Sequence, residues 1–110
     1  MKVLTPGHAY ALDFFEDKEQ PGQVLQFIQK ERITKRPGSD EVVDELVTIN
    51  DGTTNEEVLA MLIDRMRFLH DKLPSRETAI AITKIEEALM WLNKRTADRQ
   101  ARRVEGTHKA

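Results

Sequence analysis

The spacing of apolar positions changes once along the chain, near residue 54. Ahead of that point they alternate or fall in short blocks, the habit of strands; beyond it they recur at three- and four-residue steps, the habit of helices. Tyr10, Leu12 and Phe14 alternate within residues 8–15 and predict a strand. Glu19-Gln20-Pro21-Gly22 reads as a turn, because proline presets one dihedral and glycine tolerates the next. Residues 24–28 (Val-Leu-Gln-Phe-Ile) predict a second strand, and hence a hairpin across that turn. Residues 35–40, around Pro37-Gly38, predict a mobile loop, and residues 45–49 a third short strand ended by Asn50-Asp51-Gly52.

Thr54 with Glu57 three positions on has the form of a capping box ahead of an apolar run. Val58, Leu59, Leu62, Ile63, Met66 and Leu69 then mark one face of a helix over about 54–72, stopped by Pro74. Ser75 is placed to cap a second helix, with Glu77 favourably sited in its first turn. Ile82, Ile85, Leu89 and Leu92 carry the second stripe, which runs to about Arg103 before Gly106 and gives a rod roughly 40 Å long.

A connection of a few residues makes the two helices antiparallel. The expected fold class is α+β: a small N-terminal antiparallel β-sheet over residues 1–50, then a long antiparallel helical hairpin with a basic C-terminal tail over 51–110. Three strands and one hairpin leave much helical surface uncovered. Ala79, Ile80, Ala81 and Ile82 are consecutive, so the second helix is apolar on more than one face and predicts burial against another subunit. The balance of 39% hydrophobic to 33% charged residues, with only 5% aromatics, gives a lone 110-residue chain a thin core and points the same way.

The formal net charge of −2 is unevenly spread. Residues 1–93 carry a net −6, while residues 94–110 carry a net +4 from Lys94, Arg95, Arg99, Arg102, Arg103 and Lys109 against Asp98 and Glu105. A basic end suits an anionic partner, and it equally complements the dipole at a helix C-terminus. The absence of cysteine excludes disulfides, thiol nucleophiles and thiolate metal sites. No apolar run reaches the roughly 18 residues of a membrane span, and the first residues do not read as a secretory signal, so a cytoplasmic location is expected.

His8, His70 and His108 have no second ligand at metal spacing, and His70 reads as a surface residue rather than a partner of Asp71. Glu56-Glu57 and Glu86-Glu87 read as caps or solvated faces. With no phosphate loop and no nucleophile elbow, a catalyst is not expected, nor is a cofactor or a metal. Arg95 and Arg99, four residues apart, project from one helix face, and guanidinium groups bind phosphate bidentately at any physiological pH. Arg102 extends the strip, and Trp91 lies one turn ahead of Arg95. On these residues alone, a compact phosphate ligand, a nucleic-acid backbone and a protein partner all remain open.

Several segments carry a resemblance. They are Asp51-Gly52-Thr53-Thr54-Asn55-Glu56-Glu57-Val58-Leu59, Arg76-Glu77-Thr78-Ala79-Ile80-Ala81-Ile82-Thr83-Lys84, Glu87-Ala88-Leu89-Met90-Trp91-Leu92 and the tail Arg103-Val104-Glu105-Gly106-Thr107-His108-Lys109. Together they resemble the first family of Thoeris anti-defence sponges of bacteriophages. More distantly they resemble the anti-CBASS cyclic-nucleotide sponges that share the helical hairpin. The likeness covers residues 50–109, and the strand region fits the Thoeris branch.

The resemblance implies a non-catalytic protein in the host bacterial cytoplasm that sequesters immune signalling nucleotides. Those are cyclic ADP-ribose isomers, with cyclic di- and trinucleotides of the CBASS pathway in separate pockets. It implies a homo-oligomer, dimers assembling into a hexamer, with no membrane and no long nucleic acid as partner. Phe68 and Thr78 match positions around the cyclic ADP-ribose, and Arg76, two residues before Thr78, would contact its pyrophosphate; Phe68 would stack or wall the pocket, and its alternative role is core packing. Thr78 stands where the family commonly has asparagine, and so loses one donor–acceptor pair. Arg95 and Arg99 match the arginines of a cyclic-trinucleotide pocket, and Gly106, Thr107 and His108 a neighbouring subunit's site for a smaller cyclic nucleotide. A small nucleic-acid-binding or protein-interaction module is the alternative.

Overall fold

The computed structural model describes residues 1–20 and 22–104. They form β1 (Lys2–Thr5), β2 (Ala9–Ala11), β3 (Val24–Gln26), β4 (Gln29–Lys35), β5 (Val42–Asn50), α1 (Asn55–Lys72) and α2 (Arg76–Val104). The chain divides into two compact units, Met1–Thr54 and everything from Asn55 onward. The class is α+β, with antiparallel sheets ahead of two helices.

The first unit holds two small sheets in place of the single sheet the pattern predicts. One has the order β1-β2-β3, and the other pairs β4 with β5. The expected hairpin between the strand around Tyr10 and the strand around Leu25 is present, pairing Ala9 with Gln26, Tyr10 with Leu25 and Ala11 with Val24. Its first strand is shorter than the alternation suggests. β2 stops at Ala11, Leu12 adds one more bond from its N–H to the Gln23 carbonyl at 2.7 Å, and Phe14 and Phe15 lie in the following loop. Pro21 of the expected turn lies outside the described residues. Its neighbour Gly22 passes so close to the other arm that a Cβ there would fall 1.3 Å from the Leu12 carbonyl oxygen. A side chain at that point is sterically excluded, which makes glycine obligatory here.

The core of this unit is shallow. Ala9 is buried, and Tyr10 meets Phe27 edge to face with ring centroids 5.9 Å apart. Beyond β3 the chain is stitched to the segment that precedes the helices: Thr53 N–H donates to the Gln26 carbonyl and Ile28 N–H to the Thr53 carbonyl, both at 2.9 Å. Gly52 permits this approach, because a Cβ on it would lie 2.4 Å from the Gln26 oxygen.

β1 and β4 are additions to the predicted elements. β4 reads Gln-Lys-Glu-Arg-Ile-Thr-Lys, with one apolar residue, so it carries no alternation to detect. It exists because β5 offers a partner. Val43, Glu45 and Val47 are half-buried on one face of β5, and Ile33 joins them opposite Glu45. Charge completes the pairing. β4 and the loop after it bring Arg32 and Arg36 against Asp44 and Glu45; Arg32 is bidentate to Asp44 at 2.5 and 2.7 Å, and Arg36 pairs with Glu45. These hydrogen bonds hold the Asp44 and Glu45 carboxyls below the ordinary carboxylate range.

In the second unit the predicted helices are present over nearly the expected residues. Asn55 follows the capping position of Thr54, and α1 ends just before the Leu73-Pro74 connection. The two helices run antiparallel, with Ile63 of α1 and Ile82 of α2 withdrawn from water. No helix among the described residues is long and apolar enough to cross a membrane.

A lowered folded-state carboxyl pKa contributes stability that is present above the unfolded pKa near 4 and is lost as pH falls through the folded value. We expect acid to weaken the β4–β5 ribbon below about pH 4. Thermal melts of Asp44→Asn with Glu45→Gln should show a shallower acid limb than the parent and a small loss at neutral pH. Identical acid limbs would mean that these exposed pairs carry no folding free energy.

Candidate functional site

The helical hairpin carries the described candidate binding residues, Phe68, Arg76 and Thr78 towards one end and Arg95 and Arg99 towards the other. Its midsection is fixed by the pairing of Ile63 with the α2 stripe and by an ion pair across the helices, Arg67 to Glu86 at 2.5 Å. Ala60 and Ile63 on α1 line a groove of about 550 Å³ with Leu89, Met90 and Asn93 on α2. Asp64 and the Arg67–Glu86 pair line the same groove.

At the turn end, Phe68 is 60% exposed and is therefore no part of a core within this chain. Its ring is flanked by Lys72, whose Nζ lies 4.7 Å from the ring centroid one helical turn on. This cation–π pair is a residue the sequence reading missed, although its four-residue spacing is the signal that finds it. Ser75 caps α2 as expected. Its Oγ accepts the Thr78 N–H at 3.1 Å and donates to Thr78 Oγ1 at 2.8 Å. The Ser75 and Thr78 hydroxyls thus share one hydrogen bond at the start of α2. His70 is half-buried rather than a plain surface residue: its Nδ1 accepts the Ser75 N–H at 3.3 Å and holds the turn. Arg76 is the first residue of α2 and is exposed. The turn end thus carries an exposed aromatic ring with the Lys72 cation over it, and Arg76 at the positive end of the α2 dipole, two residues ahead of the Thr78 hydroxyl. That set of groups suits a ligand with an anionic part and a planar part.

At the other end α2, with 29 residues, outruns α1, with 18. Trp91, Lys94, Arg95, Asp98 and Arg102 line a shallow hollow of about 250 Å³ on its outer side. Trp91 is 62% exposed, and Lys94 reaches Asp98 at 2.9 Å. Arg95 is exposed whereas Arg99 is half-buried, so the two arginines of the expected strip face different surroundings, and Arg99 does not line the hollow. Gly106, Thr107 and His108 lie outside the described residues. Among the described residues, no three or more His, Asp or Glu side chains gather where a metal ion could be held.

Comparison with known proteins bears on the same region. The model of a family described as the Acb2/Tad1 hairpin domain matches residues 28–97, which takes in strands β4 and β5 and the helices as far as Ala97. The chain is 59% identical over 58 residues to a protein of Bacillus phage SBSphiJ7 named Thoeris anti-defense 1. That match covers 52% of this chain and 41% of the phage protein, so the chain spans less than half the length of this relative.

Two outcomes test the turn end. Ser75→Ala removes the cap and the hydroxyl partner of Thr78, and should cost about 1 kcal/mol, a drop of a few degrees in melting temperature. Phe68→Ala should change stability by no more than about 0.5 kcal/mol, as expected for an exposed side chain. A loss of several kcal/mol from Phe68→Ala would restore the core-packing role.

Proposed function

Because the chain belongs to the Acb2/Tad1 hairpin-domain family, we propose that it is a phage anti-defence protein that captures immune signalling nucleotides without cleaving them. The observation that carries this reading is the 59% identity over 58 residues to the phage protein named Thoeris anti-defense 1. The signals are cyclic ADP-ribose isomers, and the second ligand class is cyclic di- and trinucleotides of the CBASS pathway. The protein acts in the host cytoplasm as a homo-oligomer, dimers assembling into a hexamer.

Cyclic ADP-ribose is held at the turn end of the hairpin. Phe68 stacks against its adenine, Arg76 meets the pyrophosphate and the Thr78 hydroxyl donates to an oxygen of the ligand. Two features support this assignment: the exposure of the Phe68 ring and the cation Lys72 beside it. The cyclic oligonucleotides are held at the basic end of α2, by Arg95 and Arg99 with Gly106, Thr107 and His108. Capture needs binding groups and no reacting group, and the groups gathered at the turn end bind and orient rather than abstract protons or attack.

Calorimetric titration of variants separates the two pockets. Arg95→Ala with Arg99→Ala removes charge-assisted hydrogen bonds worth about 1.5–3 kcal/mol each. It should weaken cyclic-trinucleotide binding by at least about tenfold and leave cyclic ADP-ribose binding unchanged. Phe68→Ala should do the reverse. Loss of both ligands in either variant, with folding intact, would contradict two separate pockets. Weak, steeply salt-dependent binding to long nucleic acid in place of either ligand would favour a nucleic-acid module.

A further inference from the structure

A side chain closes the turn between the helices. Leu73 N–H continues α1 by donating to the Leu69 carbonyl at 3.0 Å, and Pro74 has no N–H to place. Ala79 N–H begins the α2 ladder on the Ser75 carbonyl at 3.1 Å. Between them, Ser75 N–H donates to His70 Nδ1 at 3.3 Å, and both residues are half-buried. The imidazole stands where a main-chain acceptor would. It ties the last turn of α1 to the residue whose Oγ accepts the Thr78 N–H at 3.1 Å. Arg76 and Glu77 follow at once, and their N–H groups have no helical carbonyl to meet. A shift of Ser75 therefore carries Arg76 and Thr78 with it.

An Nδ1 that accepts carries no proton, so the ring in the closed turn is neutral with its hydrogen on Nε2. A second proton would remove the acceptor and set N–H against N–H, and the turn would have to open. The charged groups about the ring do not offset this. On α1 they are Arg67, Asp71 and Lys72; on α2 they are Arg76, Glu77, Lys84 and Glu86. Arg67 is tied to Glu86 at 2.5 Å, and Lys84 lies 4.0 Å from Glu87. That leaves Asp71 and Glu77 with Lys72 and Arg76, two charges of each sign. An imidazolium would also add a positive charge at the turn end, which by itself favours an anion. Such a charge is screened by solvent and salt, whereas the lost acceptor acts directly on the cap.

We infer that His70 is a positioning residue whose neutral form holds the turn end closed for capture, so that capture weakens as the imidazole gains a proton. This rests on the reading that Phe68, Arg76 and Thr78 hold the signalling nucleotide. By linkage, a ligand that binds the closed turn expels a proton wherever His70 is partly protonated.

Calorimetry with a ribose-linked cyclic ADP-ribose isomer tests this across the histidine range, about pH 8 to about pH 5. His70→Asn sets an amide oxygen where the imidazole has Nδ1 and does not titrate, while His70→Leu removes the acceptor. His8 and His108 are common to all three proteins, so differences between them belong to His70. Parent affinity should fall about fivefold towards low pH relative to His70→Asn, the effect of one hydrogen bond. His70→Asn should match the parent within about twofold near pH 8, and His70→Leu should be about fivefold weaker there. In the middle of the range, binding should release protons to the buffer from the parent and not from His70→Asn.

Site-resolved amide exchange reads the turn without any nucleotide. Protection of the Ser75 N–H should be kept in His70→Asn and fall about fivefold in His70→Leu. A His70→Asn protein with the parent's pH profile, or a His70→Leu protein that binds like the parent, would overturn the inference. So would Ser75 protection that is the same in all three. A parent that binds no nucleotide at any pH would overturn the capture reading instead, and Ser75 protection would still decide whether His70 holds the turn.

Discussion

The antiparallel contact of two helices, with Ile63 and Ile82 withdrawn from water between them, sets where every candidate group of the second unit can lie. Each such side chain contributes about 1.5–3 kcal/mol of burial, which is modest for a unit that must order both helices. The Arg67–Glu86 bridge spans the helices at that register, and the Ser75 cap with His70 behind it closes the turn. From that register two consequences follow. The end of α1 and the start of α2 bring Phe68, Lys72, Arg76 and Thr78 to one end, and the greater length of α2 carries its basic residues past the start of α1.

The same constraint explains the surface. Among the described residues the buried apolar side chains are Ala9 in the first unit and Ile63 and Ile82 in the second, while Met61, Phe68, Leu73, Met90 and Trp91 remain more than half exposed. Apolar surface exposed on this scale commonly marks interaction sites. The two exposed rings differ in the chemistry beside them. Phe68 has the Lys72 cation over its face. Trp91 borders a hollow shared with Lys94, Arg95, Asp98 and Arg102.

The helices were legible because three local signals agreed over the same residues: apolar period, caps and the proline that separates them. Agreement of that kind is what makes a segment readable without its neighbours. The sheets were legible only in part. β4 is polar at nearly every position and owes its existence to β5, and β1 is exposed along its whole length, so neither carries a pattern of its own. The alternation through Phe14 ran on past the real end of β2, because the close passage of Gly22 against Leu12 is a contact between distant residues. In the candidate site, residue types were legible and surroundings were not. Arg95 and Arg99 looked equivalent by spacing yet differ in exposure, while Lys72 and His70 gained their roles from the ring and the cap they meet.

Capture without cleavage is the central claim, and recovery of the bound ligand tests it most directly. The purified protein would be loaded with a ribose-linked cyclic ADP-ribose isomer, freed of excess, held for hours and then heat-denatured. The released nucleotide would be identified by mass and chromatographic retention. The account predicts stoichiometric release of the unchanged ligand. A hydrolysed product, or a protein that retains no ligand at all, would contradict it.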